Sequence, residues 1–166
     1  MIVNGRTLLV AAPIADMEST KVSAFGVSYG LGEAGYDIRI KQTIEFFPNI
    51  EKITRADGEL MKKESFNGRF VLASAMELFQ MPTDLVGVVH DKSTWARRGL
   101  SVFNTVIEPG FIGGLTLELI YHGSGHLLIP AGAGIAQVLF HEIENHATYF
   151  GKYQNQSMEP TGPIES

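Results

Sequence analysis

The chain has 166 residues, 45% of them hydrophobic and 19% charged, with a formal net charge of −5 and no cysteine. That length and balance suit one domain around one core and exclude disorder for the body of the chain. The acidic charge excludes a general nucleic-acid footprint, so any phosphate site must be local, and the missing thiols exclude disulfides, cysteine-ligated zinc and cysteine nucleophiles.

Residues 1–6 carry no long apolar leader, and no run approaches membrane-spanning length, so a soluble cytoplasmic protein with no membrane contact is expected. Apolar runs of strand length then recur between Gly, Pro, Asn and Asp: residues 7–10, 36–40, 43–47, 70–73, 85–89, 100–103, 115–121, 127–129 and 135–140. With 18 glycines and 7 prolines for tight turns, this pattern predicts an all-β sandwich, jelly roll or distorted barrel. Helix is expected to be scarce. Asp91, Lys92, Ser93 and Thr94 are N-cap candidates before Trp95, and Gly99 can end a short helix there. Residues 74–79 read as either helix or strand, and the polar tail from Gln154 reads as an extended arm that needs something to hold it.

Two features carry chemistry. Ser93 and Thr94 lie between Lys92 and Arg97, a set of hydroxyls and cations that suits an anionic ligand. In the run Leu115-Thr116-Leu117-Glu118-Leu119-Ile120, alternation puts the leucines on one face and Thr116, Glu118 and Ile120 on the other. If the leucines enter the core, the Glu118 face must meet a ligand or a neighbouring subunit. For an isolated strand glutamate a solvated surface is the commoner fate, and Lys92 with Arg97 also reads as a solvated pair. His141 and His146 are five residues apart, which at about 100° per residue puts them about 140° apart on a helix and misses the metalloprotease pattern. They read as surface or turn residues. Residues 30–35 and 110–114 are glycine-rich without phosphate-loop spacing, and turns are their expected use. Trp95 beside a cap reads first as packing.

Taken in order, Lys92 to Leu100, Glu108-Pro109-Gly110-Phe111, Thr116 to Leu119, Gly134-Ile135-Ala136-Gln137 and Gly151 to Gln156 resemble the motifs of the dCTP deaminase family. Residues 29–39 and 70–82 add to the resemblance, which runs from about residue 22 to 156. It implies a distorted jelly-roll-like barrel of the dUTPase-like type, one domain over 1–166, assembled as a homotrimer with sites between subunits. Residues from about 150 to 166 would form an arm closing over the nucleotide. The implied activity is hydrolytic deamination of dCTP to dUTP and ammonia. Glu118 would be proton acceptor and donor, with Ser93 and Arg97 close to the reacting centre. The 92–97 segment, Lys92, Ser93, Thr94, Trp95, Ala96 and Arg97, would hold the triphosphate, and Glu108 with the backbone around Thr116 and Leu117 would contact sugar or base. Gln137 would touch the nucleotide, Lys152 and Gln156 would close over the phosphates, and Tyr149 stands near the place of a family tyrosine. No metal ligand is implied on the chain itself; Mg2+ would arrive on the triphosphate, and dTTP is a candidate inhibitor.

Such a reaction needs a carboxylate to take a proton from water attacking C4 and return protons to N3 and the departing amine. A dUTPase would instead show an aspartate in place of Glu108 and a glycine-rich C-terminal arm. A bifunctional enzyme giving dUMP, and a silent nucleotide-binding trimer, remain alternatives that these motifs leave open.

Overall fold

The computed structural model describes residues 1–47, 51–56, 59–65 and 69–165, the segments 51–56 and 59–65 as backbone only. In chain order the elements are β1 (Ile2–Val3), α1 (Gly5–Ala11), β2 (Lys21–Ala24), β3 (Val27–Leu31), β4 (Tyr36–Arg39), β5 (Ile44–Phe46), β6 (Glu51–Ala56), β7 (Glu59–Ser65) and β8 (Phe70–Gln80). They continue as β9 (Leu85–Asp91), α2 (Ser93–Ala96), β10 (Leu100–Val102), β11 (Val106–Ile107), β12 (Ile112–Tyr121), β13 (Leu127–Ile129) and β14 (Gly134–Glu142). One sheet runs β11-β9-β14-β4-β3-β2 with β1 added beside β14; a second runs β10-β12-β8; β13-β5 and β6-β7 are separate pairs. The expected all-β architecture is therefore present.

Period-two patterning explains how the sheets pack. Ile38 and Phe140 of the larger sheet and Ala73, Phe79, Leu117 and Leu119 of the smaller one are all 0% exposed and join one hydrophobic cluster. Each of the larger ones, Ile38, Phe79, Leu117, Leu119 and Phe140, stabilises the fold by roughly 1.5–3 kcal/mol relative to leaving it in water. The sheets are also tied by a polar contact: the Arg39 backbone N–H donates to Glu77 Oε2 at 2.9 Å and Arg39 Nε donates to Glu77 Oε1 at 2.9 Å.

Two expectations need revising, and one left open is settled. Residues 7–10 lie in α1, not in a strand; the run buries Leu8 alone, and Ala12, left-handed at φ 46°, closes the helix by donating to Leu8 O just before Pro13. A four-residue apolar run does not separate strand from helix; the Asn4 side chain does not cap the helix but donates to Glu33 O at 2.7 Å, and the sign available in sequence was Pro13 after the run. Residues 74–79, ambiguous in sequence, are strand throughout, inside β8. Gly113 and Gly114 are not turn residues but sit inside β12, whereas the turn at Gly32 closes as expected by donation to Gly35 O at 2.8 Å. The helix expected near Trp95 is α2, with Gly99 following at φ 88°. Among the described residues no helix is long and apolar enough to cross a membrane.

Candidate active site

Strand β10 pairs with β12 from Leu100 opposite Tyr121 to Val102 opposite Leu119. The chain then leaves that sheet, because β11 pairs with β9 of the larger one, Val106 opposite Val88. The crossing residues between them open a cleft of about 260 Å3 against β12. Its lining includes Asn104, Glu108, Phe111, Leu115, Thr116 and Glu118, and from the C-terminal arm Tyr149, Tyr153, Gln156 and Thr161. Glu118 and Thr116 are half-buried on this face, while Leu117 and Leu119 are fully buried on the other. The alternation read from sequence thus holds from Thr116 to Leu119, whereas Leu115, expected on the leucine face, lines the cleft, next to the register shift between Gly114 and Thr116.

Backbone hydrogen bonds seat the arm. Asn155 N donates to Ile112 O at 2.8 Å, and Gly114 N donates to Gln156 O at 2.9 Å. The Gln156 amide donates to Thr116 Oγ1, which also accepts from Thr161 N at 3.0 Å. Lys41 holds the next stretch, donating to Met158 O at 2.9 Å and pairing with Glu159. This approach requires bare strand positions, since a Cβ on Gly114 would lie 2.4 Å from Ser157 O and one on Gly113, itself at φ 148°, 2.7 Å from Gln156 N. A glycine inside a strand is the sequence sign of such an approach, and it was available here. Gly114→Ala is therefore expected to lift the arm, raising the rate of tryptic cleavage after Lys152 by about tenfold. Cleavage at the wild-type rate would show that the arm is seated by something else.

A second polar group lies elsewhere on the chain. Lys92 Nζ pairs with Asp37 Oδ2 and donates to Ser28 Oγ at 3.0 Å, while Gln137 Nε2 donates to Asp37 Oδ1 at 3.3 Å. Lys92 is only 11% exposed, so a desolvated ammonium has found a buried counter-charge rather than standing ready at the surface for phosphate. Asp37 and Ser28 escaped the sequence reading; the available sign was a carboxylate in a strand otherwise set for burial, between Tyr36 and Ile38.

The remaining expected residues divide plainly. Glu108, Thr116, Glu118, Tyr149 and Gln156 share the cleft. Ser93, Ala96 and Arg97 are exposed and Thr94 half-buried on or beside α2, outside the cleft lining, so one chain does not bring the 92–97 segment and Glu118 into a common cavity. Trp95 is buried and its indole N–H donates to Gly134 O at 2.6 Å, which removes its ring as a nucleotide contact. The Leu117 side chain points into the core and leaves only its backbone to a ligand. Lys152 is exposed, with its ammonium donating to Ile164 O. His141 is half-buried in β14 and His146 exposed beyond it. Among the described residues no group of three or more His, Asp or Glu could hold a metal ion.

Solved structures define the class of fold. The 2'-deoxycytidine 5'-triphosphate deaminase from Agrobacterium tumefaciens aligns with a TM-score of 0.55 and 16% identity, over 86% of this chain and 49% of that one. The dUTPase of EIAV aligns at 0.50 and 17%, over 74% of this chain and 87% of that one. This is the dUTPase and dCTP deaminase fold. Sequence then narrows it: a family model described as dCTP deaminase-like matches residues 11–143. The dCTP deaminase of Sulfurovum sp. (strain NBC37-1) is 39% identical over 146 residues, 79% of this chain and 78% of that protein. That of Campylobacter lari (strain RM2100) is 37% identical over 147 residues, with the same coverage. The chain belongs to the dCTP deaminase-like family.

Proposed function

We propose that this protein hydrolyses dCTP to dUTP and ammonia, with Glu118 as the proton-transfer group. The observation that carries the reading is the half-buried Glu118 carboxylate in a cleft beside Thr116, Glu108 and the arm, in a chain whose relatives are named dCTP deaminases. Water adds to C4 of cytosine while Glu118 takes one of its protons and passes it to N3; Glu118 then takes the remaining proton from the C4 hydroxyl and delivers it to N4, and as the C4–N4 bond breaks the amine leaves as ammonia and C4 becomes the uracil carbonyl. The protein supplies alignment and fixed dipoles to this sequence, and closure by the arm excludes bulk water. Magnesium would arrive on the nucleotide, held by phosphate and water oxygens, the hard ligands it prefers.

The site is shared between copies of the chain in this reading. A cleft of about 260 Å3 lies just under the span of roughly 300–1,000 Å3 usual for small-molecule pockets, and the cations and hydroxyls of α2 lie outside its lining. A neighbouring subunit of a homotrimer would bring Ser93 and Arg97 to the nucleotide held by Glu118. Phe70, Met76 and Ile112 of the smaller sheet, exposed although large and apolar, support burial of that sheet on assembly.

The test is incubation with dCTP and magnesium, separating dUTP, dUMP, pyrophosphate and ammonia, alongside light scattering. Ammonia with dUTP, from a particle about three times the 18.1 kDa of one chain, is the expected result. No ammonia would sink the deaminase reading, dUMP with pyrophosphate would make the enzyme bifunctional, and full activity from a monomer would sink the shared site.

A further inference from the structure

We propose that Asn104 is a positioning residue for Glu118, holding the carboxylate's own backbone in place of a strand that has turned away. The proposal rests on the reading of Glu118 as the proton-transfer group, and it begins from how the smaller sheet ends. Phe103 N donates to Glu118 O at 2.8 Å, one residue beyond β10 and just before residues 104–105 cross to the other sheet. The backbone groups that a longer β10 would have met are Glu118 N–H and Thr116 C=O. Asn104 takes both: its Oδ1 accepts from Glu118 N at 3.1 Å and its Nδ2 donates to Thr116 O at 2.6 Å.

A carboxamide carries the same donor and acceptor pair as a peptide unit, so this one side chain stands in for a stretch of strand. The substitution matters because it fixes the edge without filling the cleft. A continuing β10 would lie where the cavity is; a side chain holds the same two groups and leaves Asn104 itself on the cavity wall. The clamp also sits where β12 is otherwise least regular. Pairing with β8 shifts register between Gly114 and Thr116, and resumes with Thr116 opposite Ser74 and Glu118 opposite Leu72. Between the two clamped residues, Leu117 is anchored in the core at 0% exposure. Glu118 is thus held at its backbone from both sides, which limits where its side chain can reach.

Proton transfer requires that reach to be defined to within about 0.5 Å, and an error of about 1 Å can lower turnover on the order of 100-fold. Two variants separate a clamp from a filler. Asn104→Asp keeps the size and the acceptor for Glu118 N but sets an oxygen against Thr116 O; Asn104→Ala removes both bonds. Steady-state turnover of dCTP, dCTP binding by calorimetry, and NMR exchange of the Glu118 amide are the measurements. Both variants are expected to lose kcat by about 10- to 100-fold while dCTP affinity stays within about threefold. In Asn104→Ala the Glu118 amide is expected to exchange about tenfold faster, with the Phe103 amide still protected as a control for the fold. Wild-type kcat in Asn104→Asp, unaltered Glu118 exchange in Asn104→Ala, or a fall in affinity equal to the fall in kcat would each overturn the proposal. A wild type that releases no ammonia would instead sink the deaminase reading, and the exchange rates would still decide the clamp.

Discussion

Glu118→Gln is expected to lower dCTP turnover by about 100- to 10,000-fold, the range over which a positioned acid or base contributes, while dCTP still binds. Glutamine keeps the shape and one hydrogen-bonding oxygen of the side chain, so packing beside Thr116 is undisturbed. What it lacks is an oxygen basic enough to take a proton from attacking water. Because Glu118 is only half-buried, the substitution leaves no desolvated orphan and the fold should be unaffected. Single-turnover ammonia release, set against calorimetric titration with dCTP, separates the two quantities. A variant that loses affinity in step with turnover would make Glu118 a binding residue, and one that turns over normally would remove it from the chemistry. Glu108→Gln is the informative companion, since Glu108 lines the same cleft but is exposed. Its loss should fall on KM; a larger fall in kcat than that of Glu118→Gln would exchange their roles.

What was legible in the sequence follows the range of the forces involved. Alternation is a local signal, and it placed Thr116 and Glu118 on one face of β12 and Leu117 and Leu119 on the other; it failed at Leu115, which lines the cleft because the register with β8 shifts between Gly114 and Thr116. Turn chemistry is local too, and Gly99, at φ 88°, lies in the turn between α2 and β10 close to where the sequence put a helix end. The group of Lys92, Asp37, Ser28 and Gln137 is joined across separations of up to 100 residues, and nothing short-range in Lys92-Ser93-Thr94 announces that its ammonium will be claimed by Asp37. The arm gave half its signal: its polar composition marked it as extended, but its seat on Gly113 and Gly114 depended on reading two strand glycines as a track for another backbone. Asn104 gave none, because an asparagine after an apolar strand reads as a turn residue until the two sheets it connects are known.

Glu77→Ala is expected to destabilise the fold by about 3 kcal/mol, the lower end of the cost of removing one partner from a buried ion pair. The lower end applies because Arg39 is 25% exposed and its charge can turn to water, whereas Glu77 is 2% exposed. The backbone N–H of Arg39, which donates to Glu77 Oε2, would also lose its acceptor. Burial sets the proton affinity of the carboxyl: it raises the Glu77 pKa above its ordinary value of about 4.5, against the hydrogen bonds and attraction from Arg39. For Arg39 burial again opposes the charge, but the hydrogen bond and attraction of Glu77 outweigh it and the pKa is raised. Taken alone, the rise at Arg39 would describe a fully compensated pair, which would lower Glu77 rather than raise it. At 2% exposure the desolvation of the carboxylate decides the matter. The sign for stability follows. A carboxyl whose pKa is raised on folding holds its proton more tightly in the folded chain, so its contribution is whole below about 4.5 and declines as pH climbs from there through the folded value. Glu77→Gln removes that titration while keeping an acceptor for Arg39. Urea unfolding across pH 4 to 7 should therefore show the glutamine variant gaining on the wild type as pH rises, with the alanine variant below both throughout. A glutamine variant that loses ground with rising pH would mean that attraction from Arg39, and not desolvation, governs the pair.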